Sequence, residues 1–160
     1  MTTRKAQGRG RTRRASGRSA AQEWVGLFAG ERAARFDLGA DLEMAEAVGR
    51  GLPTRAVDAA VRSGILEAED VHRLVVSKRT LQRRRDEHRL SPEESDKLAR
   101  VVRAVARAEV ALGDAAKAER WIRLPNRALD GHRPLDLLGS DGGARAVEKV
   151  LGRIEHGVFS

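Results

Sequence analysis

The sequence of 160 residues contains no cysteine and no tyrosine, and aromatic residues make up only 3% of it. Without cysteine, neither a disulfide nor a thiolate metal site can form. No apolar run approaches the roughly 20 residues that a membrane span needs, and the basic N-terminus lacks the apolar stretch of a secretory signal. We therefore expect a cytoplasmic protein whose core is built mainly from Leu, Val, Ile and Ala.

The patterns that indicate catalysis are also missing. There is no phosphate-binding glycine loop and no Gly-x-Ser-x-Gly motif, and the pair Glu93-Glu94 belongs to a helix-capping motif. The spacing of the four histidines fits no local metal motif. These are His72, His88, His132 and His156. We expect no enzymatic activity, no bound metal and no cofactor.

Positive charge is concentrated at one end of the chain. The formal net charge is +8, yet most of it comes from residues 1–20, which have no acidic side chain and no Leu, Ile, Val or Phe. Such a segment cannot bury enough apolar surface to offset the entropy lost on ordering. We expect a disordered basic arm over residues 1–20, which either contacts DNA phosphates or is a solvated tail.

Apolar spacing of three and four residues recurs along the rest of the chain, and no stretch alternates as a strand would. The expected fold class is therefore all-α, with a helix-turn-helix core and a small C-terminal helical domain. We predict one or two short helices in an N-terminal extension, residues 21–50. The helices predicted after it span about 53–63, 67–75, 78–88, 91–112, 114–122 and 142–156, with one or two turns at 134–138.

The predicted helix over 78–88 is too polar for an ordinary surface helix, because Leu81 is its one strong core anchor. A recognition helix needs this pattern, since it docks by one edge and leaves its first turns free for the major groove of DNA. Arginine can pair with guanine and glutamine with adenine, and hydroxyls at a helix N-terminus can bond phosphate. The alternative is a solvated charged helix.

The candidate DNA-binding residues are Ser77, Lys78, Arg79, Thr80, Gln82, Arg83 and Arg84. Arg84 and Arg85 lie further along the helix, so they suit phosphate contacts better than base contacts.

Two stretches carry a family resemblance. The run Ser-Lys-Arg-Thr-Leu-Gln-Arg-Arg-Arg from residue 77, followed by Arg-Leu-Ser-Pro-Glu-Glu-Ser from residue 89, resembles the helix-turn-helix part of the Xre/MbcA/ParS antitoxins. Residues 121–159 resemble the toxin-binding domain of that family, and the resemblance covers about 50–160. The matching positions are Trp121, Pro125, Asn126, Leu129, Gly131, Pro134, Leu135, Leu137, Leu138, Gly143, Val147, Glu148, Leu151, Ile154, Glu155, Gly157 and Val158.

This resemblance implies an antitoxin of a type II toxin–antitoxin pair, with a DNA-binding region at 51–113 and a toxin-binding domain at 114–160. Its expected partners are a RES-domain toxin that depletes NAD and the operator DNA of its own operon, which it represses, with a homodimer inside a larger complex. The toxin-binding residues implied are Trp121, Asn126, Leu129, Leu138, Val147, Leu151, Ile154, Gly157, Val158 and Phe159. Asp130 departs from the family, which often has glycine there.

Two questions stay open from the residues alone. The end of the chain, Val158-Phe159-Ser160, could fill the NAD pocket of the toxin with an apolar ring and a carboxylate, or Phe159 could pack back on Trp121. The other interpretations of the whole chain are a stand-alone helix-turn-helix regulator and a pure protein-interaction module. The arginines of residues 79–85 favour DNA binding over the latter.

Overall fold

The structure is a computed structural model and describes residues 19–29 and 38–157. Within these residues the backbone is helical apart from the connecting loops and one isolated bridge between Pro53 and Arg89. The predicted all-α class is confirmed. The helices are α1 (Ala20–Ala29), α2 (Leu38–Arg50), α3 (Arg55–Arg62), α4 (Ala68–Leu74), α5 (Lys78–Asp86), α6 (Pro92–Leu112), α7 (Ala115–Arg123), α8 (Pro134–Leu137) and α9 (Asp141–Glu155), with a 3₁₀ turn at Arg127–Leu129.

Helix α6 is the centre of the fold. It contacts α1, α2 and α4 as well as α7 and α9, so it is apolar on most of its circumference. Ser91 and Glu94 form the predicted capping box at its start, and Gly113, with φ of 66°, ends it in the left-handed region. Its buried side chains are Ser95, Leu98, Ala99, Val101, Val102, Ala104, Val105, Ala106 and Ala108.

Helices α1 and α2 form an extra layer on α6 and α3. The indole Nε1 of Trp24 donates a hydrogen bond of 2.7 Å to the carbonyl oxygen of Ala56, which fixes α1 to α3. Phe28 packs against the Trp24 ring, with the centroids 5.1 Å apart. Leu27, which follows Trp24 by three residues as an inward-facing helical position would, is 74% exposed. The prediction of helices in this extension is confirmed in the described residues. The buried face of α1 is narrower than its apolar spacing indicates, because Leu27 lies outside it.

The segments before α3 and after α5 are held together by backbone pairing. The amide of Leu90 donates to the carbonyl of Leu52 at 2.8 Å, and that of Thr54 donates to His88 at 3.2 Å. The buried hydroxyl of Ser95 accepts from the Leu52 amide and donates to the Ser91 carbonyl, both at 2.7 Å. These bonds close the three-helix unit α3–α5 onto the start of α6, so the unit has a defined position on the core.

The first residues of the described chain shift one predicted boundary. Residues 1–18 of the expected basic arm lie outside the described residues. Ser19 caps α1 by accepting a hydrogen bond from the amide of Gln22, and Ala20 is in the helix. Residues 19–20 therefore belong to the folded part, because a hydroxyl side chain was available to satisfy a free amide at the helix start. No helix in the described segments has both the length and the apolarity that crossing a membrane requires.

The C-terminal part follows α6 directly. The Asp114 carboxylate accepts from the amide of Lys117 and begins α7, while the Ser140 hydroxyl accepts from that of Gly143 and begins α9. Helix α9 packs on α6, α8 and the 3₁₀ turn. Gly143 meets α8 so closely that a Cβ atom built on it would lie 2.1 Å from the carbonyl oxygen of Leu137. This contact sets the angle at which α9 returns to the core.

We predict that Gly143→Ala destabilises the protein by about 1–3 kcal/mol, since backbone atoms of α8 must move to admit the methyl group. Gly142→Ala is the matched control, because a Cβ there meets no atom within 4 Å. Alanine is the better helix former, so Gly142→Ala should stabilise by roughly 0.5–1 kcal/mol. Chemical unfolding of the two variants measures both effects, and equal unfolding free energies would contradict the close approach of α8 and α9.

Candidate functional site

Helices α4 and α5 are joined by the turn Val75–Ser77 and form the helix-turn-helix pair. Val71, Leu74 and Val75 are buried, so α4 is held firmly on the core. Ser77 caps α5: its hydroxyl accepts from the Thr80 amide at 3.2 Å and donates to the Thr80 hydroxyl at 2.9 Å. Both hydroxyls therefore already have a bond inside the protein, although that of Ser77 remains exposed at the helix N-terminus.

Helix α5 contacts the core through Leu81, which is 5% exposed. Four of the candidate residues are exposed on its first turns: Lys78, Arg79, Gln82 and Arg83. The side chains of Lys78, Arg79 and Gln82 make no hydrogen bond or ion pair with any residue in the described part of the chain. Arg83 has only a 3.8 Å contact with Glu87 on its own helix. A ligand can therefore bind these side chains without breaking a short hydrogen bond or ion pair between described residues.

Arg84 occupies a different place from the other candidates. Its guanidinium donates to the Glu94 carboxylate at 2.8 and 3.1 Å and to Glu87 at 2.6 Å. The hydrogen bonds to Glu94 make the largest contribution to a raised pKa of Arg84, and the hydrogen bond to Glu87 makes the next largest. Arg84 ties α5 to the capping box of α6 through Glu94, and its role as a DNA contact stays a prediction.

A second ion network fixes the other helix of the pair. The carboxylate of Asp70 on α4 accepts from Arg73 at 3.1 Å and from Arg123 of α7 at 2.9 Å. Burial raises the pKa of Asp70, but the hydrogen bonds from Arg73 and Arg123 outweigh it and hold that pKa below its usual range. Arg73 also donates to Asp136 of α8, which accepts from Arg133 at 2.7 Å as well. The network joins the helix-turn-helix to the C-terminal helices.

Several residues expected to touch a toxin lie inside the protein. Leu138 is 1% exposed and Leu129 7%, and Val147 and Leu151 are fully buried. These four side chains have little or no accessible surface, so in this structure they lie beneath the surface that a partner would meet, and their direct contact with a toxin stays a prediction. They are apolar positions of α9 and of the segments packed against it, and they hold the surface in place from below.

The remaining candidates of this domain divide into three groups. Trp121 and Ile154 are half-buried and Gly157 is exposed, so all three reach the surface. Asn126 is half-buried, and its side-chain oxygen accepts from the Ala128 amide at 2.9 Å, which caps the 3₁₀ turn. The last two candidates, Val158 and Phe159, lie outside the described residues.

The sequence analysis missed one exposed apolar residue of the C-terminal part. Leu124 is 52% exposed at the end of α7, next to the exposed Pro125. It stands outside the apolar stripe of α7, whose buried members are Ala118 and Ile122. A large apolar side chain off the stripe, at a helix end followed by proline, was the signal that could have found it.

Residues 126–132 form a compact loop closed by backbone hydrogen bonds. The amide of Asn126 donates to the His132 carbonyl at 3.0 Å, and Gly131 donates back to Asn126 at 2.9 Å. Asp130 has a φ of 52°, in the left-handed region that glycine adopts most easily. In the described residues, no group of three His, Asp or Glu side chains is placed to hold a metal ion. The two backbone hydrogen bonds give the loop a defined shape.

The fold and the exposed face of α5 define a helix-turn-helix protein with a second helical module on the same long helix. Residues 43–103 match the family model of the antitoxin Xre-like helix-turn-helix domain. Residues 96–157 match that of the antitoxin Xre/MbcA/ParS C-terminal toxin-binding domain. The two matches overlap within α6.

Curated proteins named antitoxin Xre are similar to this chain. That of Yersinia enterocolitica is 39% identical over 100 residues, which are 61% of this chain and 68% of that protein. That of Photorhabdus laumondii is 33% identical over 113 residues, or 69% and 76% of the two chains. That of Pseudomonas putida is 36% identical over 85 residues, or 52% and 53%. The chain belongs to the Xre/MbcA/ParS antitoxin family and is a type II antitoxin with a helix-turn-helix domain and a toxin-binding domain.

We predict that Asp70→Asn lowers the free energy of unfolding by about 1–3 kcal/mol at neutral pH, because a charge-assisted pair is lost. The folded-state pKa of Asp70 is lowered, so its stabilisation is complete above its usual pKa of about 4 and is lost as the pH falls through the lower folded value. The difference from the wild-type protein should therefore shrink in urea unfolding between pH 7 and pH 3.

Glu69→Gln is the control for this experiment. Glu69 is an exposed carboxylate on the same helix and has no ion-pair partner within the part of the chain that the structure describes. Its variant should unfold nearly as the wild type does at every pH. A difference for Asp70→Asn that stays constant down to pH 3 would show that the carboxylate charge does not carry the effect.

Proposed function

We propose that this antitoxin represses its own operon by binding operator DNA through the first turns of α5. The observation that carries the proposal is the exposed face of Lys78, Arg79, Gln82 and Arg83, beside the buried Leu81. Within the described residues, the side chains of the first three have no hydrogen-bond or ion-pair partner. Arginine and glutamine supply the paired donors and acceptors that base edges in the major groove require. Ser77 and Thr80, at the helix start, suit the adjacent phosphate.

The operator-binding form is a homodimer in this proposal. One short recognition helix spans only a few base pairs, so a specific operator needs two half-sites about one helical turn apart. The DNA-binding region comprises residues 51–113 and the toxin-binding domain residues 114–160. Gly113 is a natural place for the division because α6 ends there.

We predict that Arg79→Ala or Arg83→Ala costs about 1–3 kcal/mol of operator affinity at one base position. The measurement is a binding titration against the promoter of the chain's own operon and against duplexes with single base-pair changes. Lys149→Ala, an exposed cation on α9, is the control and should bind as the wild type does. Equal weakening on every sequence would reassign the arginine to phosphate contact, and no binding to the promoter at low salt removes the repressor role.

We also propose that the partner is a RES-domain toxin that depletes NAD, and that the C-terminal domain neutralises it. Support comes from the family, and from apolar side chains that reach the surface of the C-terminal part: Trp121 and Leu124, three residues apart at the end of α7, and Ile154 on α9. An exposed leucine beside a tryptophan gives an interface the apolar anchor that binding energy concentrates on. The segment Val158-Phe159-Ser160 carries the ring of Phe159, which suits the apolar part of an NAD pocket.

We predict that removal of residues 158–160 leaves toxin capture intact but weakens protection of NAD when the two proteins are mixed. Full protection by the shortened chain would exclude entry of this segment into the NAD pocket. Leu124→Asp should instead weaken capture itself, by at least tenfold, because a charge would be buried in an apolar contact. Leu42→Asp on α2, which is 60% exposed, is the matched control and should capture the toxin normally.

A further inference from the structure

The outward side of α9 carries a row of positive charge. Arg145, Lys149 and Arg153 follow one another at intervals of four residues, which places them along one side of the helix. All three side chains are exposed. The buried residues of α9 lie on its other side and face the core. The row is therefore a surface feature, about 12 Å long from its first Cα atom to its last.

The three cations of this row have no partner inside the protein. Their side chains make no hydrogen bond or ion pair with any residue that the structure describes. The arginines of α6 that line the same cleft as Arg145 differ, because Arg100 is paired with Asp141 and Arg103 with Asp41. The fold thus neutralises the arginines of α6 but not the row on α9. An anionic group from outside can bind the row without breaking an internal ion pair.

A glycine borders the row. Gly152 follows Lys149 by three residues and Arg145 by seven, so it lies on the same side of α9. A Cβ atom built on it would meet only the guanidinium of Arg107, at 4.0 Å. Glycine inside a helix is less stable than alanine, and packing within the protein does not require it here. Its missing side chain lets another molecule approach the helix closely beside the cations.

We propose that the row Arg145, Lys149 and Arg153 docks on an acidic surface of the toxin. The inference rests on the proposed neutralisation of a toxin and deepens it by naming the charge of the surface that the antitoxin meets. Helix α9 lies within residues 96–157, which match the toxin-binding domain of the family. A toxin is therefore the partner expected at this helix.

The charges beside the row favour a protein over DNA. Two exposed carboxylates seven residues apart, Glu148 and Glu155, border the cations on one side of the helix. Duplex DNA is negative along its whole length, so these carboxylates would repel it. A protein surface can present acidic groups to the row and basic groups to its border, because complementary charges at an interface are arranged group by group.

The test is the rate at which the antitoxin associates with the purified toxin of the same operon, measured at two salt concentrations. Attraction between charged surfaces accelerates the encounter, so we expect Arg145→Glu with Lys149→Glu to slow association by about tenfold at 0.1 M salt. The difference should nearly vanish at 1 M, because the Debye length falls from about 10 Å to about 3 Å. Arg145→Lys with Arg153→Lys should associate as the wild type does, since the charge is kept.

The matched control is Arg55→Glu with Arg62→Glu on α3. Both arginines are exposed and lie outside residues 96–157, and neither has an ion-pair partner in the described segments. This variant changes the net charge by the same amount as the α9 variant, and it should associate with the toxin at nearly the wild-type rate. Thermal unfolding of both variants checks that each is folded.

The outcomes separate this inference from the proposed function. If the α9 variant and the control associate with the toxin at equal rates, the row is not part of the interface, and neutralisation by the C-terminal domain stands. Faster association of the α9 variant would also refute the inference, because the opposing surface would then be basic. A loss of operator affinity with unchanged toxin association would make the row a DNA contact. If the full chain does not capture the toxin, the proposed neutralisation itself fails.

Discussion

The burial of α6 on nearly all sides is the constraint on which the rest of this structure depends. A helix that contacts α1, α2, α4, α7 and α9 must be apolar around most of its circumference, and alternating Val and Ala side chains provide this over four turns. The small alanines let neighbouring helices approach closely, while Leu98 and the valines fill the space between them. Both family domains are therefore built on one helix, and their matched segments overlap within it.

Because they share this core, the helix-turn-helix pair α4–α5 and the C-terminal helices α7 and α8 are connected by ion pairs as well as by packing. Helix α4 supports α5 from behind, and its Asp70 is held by Arg123 of α7 while Arg73 reaches Asp136 of α8. Buried or half-buried pairs of this kind are specific in geometry, because an unpartnered charge at such a place is costly. The helix-turn-helix thus has a defined orientation relative to the domain that the family uses for toxin binding.

Much of the fold could be predicted from local sequence. The capping box at Ser91, the glycine at 113 and the caps at Ser77, Asp114 and Ser140 place helix ends to within about two residues, since capping depends on side chains close in the sequence. The buried anchor Leu81 and the abundance of cations on α5 follow from the same local pattern. The exposure of the candidate toxin contacts could not be predicted in this way, because a match to a family includes core and surface positions alike. Leu138 and Val147, for example, lie in the core.

The sequence by itself determined the helical class, the helix ends and the polar character of α5, because each depends on neighbours within one or two turns. Only the tertiary structure decided which charged residues are free. Arg83 and Arg84 are adjacent and chemically identical, yet Arg84 is bound to Glu94 and Arg83 remains exposed. The two side chains differ because successive helical residues point about 100° apart, and only the tertiary placement of the start of α6 brings the Glu94 carboxylate to one of those two sides.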